Sequence, residues 1–146
     1  MERFSLPSMY ELCLMQTRSD RTLRNLVSNK LSKHSLTLME WLVLGSVSAG
    51  PKTGLSMTEI ARALNVTLPQ VTSLITDLLE RKLIKQKVLS TDHRGRQVTI
   101  TLKGKRVLGK LETMIARDVR QLTSAVPNSR LREYVRTLHV LSERTD

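Results

Sequence analysis

Apolar positions recur every three to four residues through most of this chain, and change to strict alternation over one short stretch. Ser56-Met-Thr-Glu59 and Thr67-Leu-Pro-Gln70 each match a capping box, in which the two ends of the motif satisfy one another's free backbone N–H groups. The first opens a predicted helix bearing Ile60, Ala61 and Leu64. The second opens a run of Val71, Leu74, Ile75, Leu78 and Leu79 at helical spacing. Leu64 to Val66 separate the two runs, the turn length of a helix-turn-helix. After Leu83 the pattern alternates, and Asp92-His-Arg94-Gly-Arg96 stands between two strand-like segments. Two short helices followed by a hairpin with a cationic tip describe a winged helix, and that order points to DNA.

The flanks are helical as well. Ser8-Met-Tyr-Glu11, just after Pro7, opens a long segment with Leu12, Met15, Leu23, Leu26, Val27 and Leu31 on one side. Asp20 and Arg24 stand four apart and can pair on its outer face. Thr37-Leu-Met-Glu40 begins a helix through Trp41, Leu44 and Val47. Ala49-Gly-Pro-Lys-Thr-Gly54 reads as an exposed loop, and Leu55 as a short strand. Val107, Leu108, Leu111, Met114, Ile115, Val119 and Leu122 then hold one long stripe. Pro127-Asn128 stops that run, with Asn128 placed to cap a last helix.

The predicted fold is therefore mainly α with a small β-hairpin. A winged helix-turn-helix over 37–101 is flanked by an N-terminal dimerisation helix over 1–36 and C-terminal dimerisation helices over 102–146. The terminal stripes include Leu12, Met15, Leu122, Leu131, Tyr134, Val135, Leu138 and Leu141, and a small domain gives them little of its own chain to cover. A homodimer would bury them, and two-fold symmetry would set two recognition helices about 34 Å apart on DNA.

Charge sharpens this picture. The chain of 146 residues carries a formal net charge of +11, and only 3% of it is aromatic. Between Lys52 and Lys110 there are twelve Lys or Arg against four Asp or Glu; from Arg81 to Arg106, nine cations face only Asp92. Such a field attracts polyanions and gains affinity by displacing counterions from phosphates. No apolar run reaches the roughly 20 residues that span a bilayer, the first residues lack a signal-peptide order, and the single cysteine excludes an internal disulfide. A cytoplasmic protein is the expectation.

This layout resembles the multiple-antibiotic-resistance regulator (MarR) family along nearly the whole chain. The most specific stretch is Asp92-His-Arg94-Gly-Arg96-Gln-Val98-Thr-Ile-Thr101-Leu-Lys-Gly104, which is similar to the family's wing signature, and Val66 to Leu83 resembles its recognition helix and exit. The resemblance implies a homodimeric transcriptional regulator, usually a repressor, that binds a pseudo-palindrome and releases it on a chemical signal. Lys82 stands where the family commonly has Gly, so a lysine must adopt the left-handed backbone at a cost of about 1 kcal/mol. The loop 49–54 is also longer than usual.

On the helix from Thr67, the inward stripe leaves Pro69, Gln70, Thr72, Ser73 and Thr76 outward. These uncharged side chains suit close approach to base edges, with Gln matched to adenine and Thr or Ser to a base, a phosphate or a thymine methyl. Thr67 and Gln70 serve equally well as a helix cap alone. In the resembling family the tip arginine, here Arg94, enters the minor groove, with Asp92 orienting it. Lys85, Lys87 and Arg96 are expected at phosphates, and Thr37 and Thr58, at helix starts, are candidates for the same.

The release signal has two candidate routes. Cys13 lies near the start of the first helix, where one branch of the family holds a peroxide-sensing thiol; packing as a small hydrophobe is its simpler role. A small aromatic anion is the other effector the resemblance implies, with Trp41 as a stacking face and Arg18 or Arg21 at its carboxylate. No cofactor or metal is expected, and the widely separated His34, His93 and His139 give no catalytic or ligand spacing. The expectation is not an enzyme. The alternative to an operator-specific regulator is a winged helix that binds protein or RNA.

Overall fold

Every one of the four capping signals stands at the start of a helix in the computed structural model, which describes residues 8–88 and 95–143. The elements are α1 (Met9–Ser32), α2 (Leu38–Ala49), β1 (Leu55–Ser56), α3 (Met57–Leu64), α4 (Leu68–Glu80), β2 (Ile84–Val88), β3 (Arg96–Ile100), α5 (Leu102–Leu122) and α6 (Asn128–Ser142). Ser8 Oγ accepts the Glu11 N–H at 3.1 Å. Thr37 and Glu40 close a reciprocal box at 2.8 and 3.2 Å, as do Ser56 and Glu59 at 2.7 and 3.1 Å. Gln70 Oε1 accepts the Thr67 N–H at 2.9 Å. Asn128 does not cap α6: Pro127 occupies the cap position and Asn128 is already helical. Proline is favoured there by its fixed φ, and its carbonyl accepts the Arg130 and Leu131 N–H groups.

Three helices end alike, and none of them on glycine. Ser35, Asn65 and Lys82 have φ of 55°, 52° and 58°. After each, the next N–H reaches back five residues: Leu36 to Leu31, Val66 to Ala61 and Leu83 to Leu78, at 3.0–3.1 Å. This is the Schellman arrangement, which satisfies carbonyls that a helix end otherwise leaves free. It turns α3 into α4 and α4 into β2 within a few residues. Lys82 does take the left-handed conformation that the sequence requires of it.

The sheet has the order β1-β3-β2, all antiparallel. Ile84 faces Ile100, Lys85 faces Thr99, Lys87 faces Gln97 and Val88 faces Arg96. At its base Thr101 Oγ1 donates to the Lys82 and Leu83 carbonyls at 2.8 and 3.0 Å and accepts the Gly104 N–H at 3.0 Å. A Cβ on Gly104 would stand 2.1 Å from the Leu83 carbonyl oxygen, so the start of α5 can press against the end of the recognition element only without a side chain.

Leu31, Leu36, Val43, Leu44, Ile60, Val71, Ile75, Leu78, Leu83, Val98 and Leu111 form the centre of one core. α1 adds only Val27 and Leu31, from its last turns, and α5 adds Leu108, Leu111 and Ile115. α6 contributes no buried residue at all. Its Tyr134, Val135 and Leu141 are exposed, as are Leu12, Met15 and Leu122, whereas Leu131 and Leu138 are half-buried.

Candidate nucleic-acid interface

α4 stands with its apolar side, Val71, Ile75 and Leu78, in the core, which leaves Thr67, Pro69, Gln70, Thr72, Ser73 and Thr76 exposed. These six therefore share one free surface, but their polar atoms are not equally free. Gln70 Oε1 accepts both the N–H and the hydroxyl of Thr67, at 2.9 and 3.1 Å. Both lone pairs are thereby engaged, so a bidentate grip on adenine would break the cap, while the amide N–H groups stay free to donate. Thr72 and Thr76 donate their hydroxyls to the carbonyls of Leu68 and Thr72 at 3.0 and 2.9 Å. What they offer outward is a methyl and acceptor lone pairs, which suit a thymine methyl or a base amino group and not a phosphate oxygen.

Gln70 and Ser73 share a groove of about 250 Å³ with Leu74, Val66 and Met39. Met39 is in the first turn of α2, so the groove brings the start of α2, and with it the exposed Thr37, alongside α4. Met39 was missed in the sequence because it lies off the apolar stripe of its helix. Thr58, also exposed, lines a different cleft, which it shares with Arg62 and Asn65 of the α3 end and with His139, Ser142 and Glu143 of α6. The start of α3 is held by Glu59, whose carboxyl is kept below the ordinary value of 4.5 by its backbone and side-chain hydrogen bonds with Ser56, aided by the charge of Arg62.

On the wing, Lys85, Lys87 and Arg96 are all exposed, but they do not form one row. Paired residues of an antiparallel ladder share a face, so Lys85 and Lys87 lie with Thr99 and Gln97. Arg96 lies with Val88 on the opposite face, the one that carries buried Ile84 and Val98 toward the core. Asp92 and Arg94 lie outside the described residues.

The C-terminal end of α4 is anchored by a residue that periodicity does not single out. Arg81 Nη1 donates to the Ser35 carbonyl at 2.6 Å and lies 3.7 Å from Glu40 Oε2, and its Nη2 donates to the His34 carbonyl at 3.3 Å. Lys103 Nζ in turn donates to the Arg81 carbonyl at 2.9 Å.

The proposed effector residues are not gathered together. Cys13 is exposed, not packed in the core of this chain. Trp41 packs its ring partly against the core, and its Nε1 is buried without a hydrogen-bond partner. It lines a shallow cavity of about 360 Å³ with Leu42, Gly45, Ser46, Ala49 and Glu112. The charged group there is a carboxylate; Arg18 and Arg21, exposed on α1, are not among its walls. Among the described residues no three His, Cys, Asp or Glu could hold a metal, and no helix is long and apolar enough to cross a membrane.

Residues 34–95, which hold α2 to β2 and the connection toward β3, match the MarR family. The fold is shared along almost the whole chain with solved structures. CouR from Rhodococcus jostii RHA1, solved bound to p-coumaroyl-CoA, is 17% identical with a TM-score of 0.84, covering 97% of this chain and 99% of its own. The transcriptional regulator BldR from Sulfolobus solfataricus is 26% identical with a TM-score of 0.79, over 96% of this chain and 100% of its own. MarR from E. coli, in its apo form, is 18% identical with a TM-score of 0.73, over 94% and 98%. Over residues 34–95 the chain is thus similar to the MarR family, and along almost its whole length it shares a winged-helix fold with these transcriptional regulators.

Proposed function

We propose that the protein is a repressor that binds a pseudo-palindromic operator as a homodimer and leaves it on a chemical signal. The observation that carries the dimer is α6, fifteen residues with no buried side chain in its own chain. Exposed Tyr134, Val135 and Leu141 on α6, Leu122 on α5, and Leu12 and Met15 on α1 form apolar surface that a second copy would cover. Half-buried Leu131 and Leu138 would complete that seam.

In this reading α4 enters the major groove with Pro69, Gln70, Thr72, Ser73 and Thr76 toward the bases. Thr67 supports the cap, and Thr37 meets a backbone phosphate beside the Met39 groove. Lys85 and Lys87 take phosphates from one face of the wing, Arg96 from the other. Arg94, oriented by Asp92, enters the minor groove; Thr58, in its α6 cleft, has the weakest claim to DNA. The release signal acts through the Trp41 cavity, where Glu112 favours a neutral or cationic aromatic over the expected anion. Cys13, exposed on α1, is an alternative trigger by oxidation.

Selection of bound duplexes from a random library is the test. A palindromic consensus with half-sites one helical turn apart supports dimer, operator and reader together. Enrichment without symmetry removes the homodimeric operator reading.

A further inference from the structure

The 50–54 loop, which DNA recognition leaves without a role, closes over a second cationic site. Where the end of α2, this loop, the base of β3 and the first turns of α5 meet, there is a cleft of about 260 Å³. Lys52 comes to it from the loop and Lys105 from α5; Ser48 and Thr99 add hydroxyls, and no carboxylate is among its walls. We propose that this cleft binds a small phosphate-bearing dianion, held between Lys52 and Lys105 and hydrogen-bonded by Ser48 and Thr99.

Three observations converge on it. Two lysines line one cleft that holds no carboxylate, and neither makes an ion pair among the described residues. Thr99 Oγ1 is buried and has no hydrogen-bond partner among the described residues, a donor without an acceptor. The first turn of α5 carries Lys103 and no acidic residue, so the positive end of its dipole adds to the lysines and is not offset.

The loop is also held in place. Gly54 has φ of 96°, and a Cβ there would lie 2.6 Å from the Val98 carbonyl oxygen and 2.9 Å from Thr99 Cγ2. It is pressed onto β3 in a backbone that other residues resist. Lys52, two residues earlier, lines the same cleft as Lys105.

It sits at the base of the wing, where Thr99 is paired with Lys85 across the ladder. A strand advances about 3.3 Å per residue, so Thr99 lies roughly 10 Å from Arg96 and farther from the tip of the wing. A free phosphate compound at the base of the wing is the favoured source of the dianion. A backbone phosphate of DNA held by Lys85, the ladder partner of Thr99, is the competing source.

Titration of the full chain with inorganic phosphate, free of DNA and in a buffer without other polyvalent anions, tests the site by ³¹P line width and by amide shifts of Gly54 and Thr99. Saturable binding of one phosphate per chain is expected, weakened about tenfold by Lys52→Met and by Lys105→Met. Lys110→Met, the same charge change on α5 outside the cleft, leaves it unaltered. Equal loss in all three variants, or no saturation in the unaltered chain, overturns the site. Duplex binding separates the two sources: the Lys52 and Lys105 variants should keep the salt slope. A slope lowered by about one for each lysine means that the pair meets DNA instead, and the free-ligand site falls.

Discussion

Arg81 and Ser35 are joined across 46 residues by a 2.6 Å hydrogen bond, from the guanidinium at the end of α4 to a carbonyl in the left-handed turn after α1. With the His34 carbonyl and the buried Glu40 beside it, this fixes the far end of α4 to the turn that joins α1 to α2. A shift of that turn therefore acts directly on the end of α4.

Replacing Arg81 with Met should lower stability by about 1–2 kcal/mol, since the bonds are charge-assisted but the side chain is a third exposed. Arg81→Lys should recover less than half of this, because one ammonium cannot serve two carbonyls in a fixed fork. Urea unfolding decides it. Full rescue by Lys would mean that only the charge beside Glu40 matters.

Lys82 offers the opposite outcome. Its φ of 58° suits glycine, so Lys82→Gly should raise stability by about 1 kcal/mol while Lys82→Ala changes it little. Thermal melting of the two variants separates backbone strain from loss of charge, which both share. Equal gains would remove the strain explanation.

Gln70 and Arg94 should divide specificity from affinity. Arg94→Ala is expected to weaken every duplex alike, by about tenfold, and to reduce the salt slope. Gln70→Ala should cost about 0.5–1 kcal/mol of stability through its lost bonds to Thr67, and change preference at one position per half-site through its free amide N–H groups. Competition among single-base operator variants tells the two apart; an unchanged preference would leave Gln70 a cap alone.

The start of α3 should be acid-sensitive. Because Glu59 is held below 4.5 in the folded chain, the stability it lends is complete above that value and is lost as pH falls through the folded one. An NMR titration should place its midpoint below that of an unstructured glutamate. Ser56→Ala should move it up, as the hydroxyl share of the hydrogen bonding is lost while the backbone bond remains. No movement would assign the whole effect to that bond and to Arg62.

The starts of α1 to α4 were legible because the chain marks them with Ser or Thr followed three residues later by Glu or Gln, a local bond with a local signature. α6, without that mark, has Pro127 and not the expected Asn128 at its cap position. Helix ends were not. Ser35 bears no mark of the left-handed turn, Asn65 is of a type that favours it but was not read so, and only Lys82 was anticipated, from its place in a resembling motif. The core stripes of α4 and α5 could be read from spacing, as could the uncovered face of α6. Arg81, Met39, Lys52 and Lys105 could not, since their partners lie far away in sequence. Alternation located the wing but not the face that Arg96 joins, which only the register of the ladder shows. Trp41 was placed beside an arginine where the fold supplies Glu112.

The bare surface of α6 has a thermodynamic consequence. A fifteen-residue helix that buries no side chain in its own chain is marginal in water, so its helical content depends on what covers it. The winged domain needs no such cover, since its core is closed within one chain. If a second copy supplies the cover, folding of α6 and association are one event governed by mass action. Dilution would then drain far-UV ellipticity while the near-UV signal of Trp41 persists, and the abundance of the protein in the cell would itself set how much of it is competent to repress.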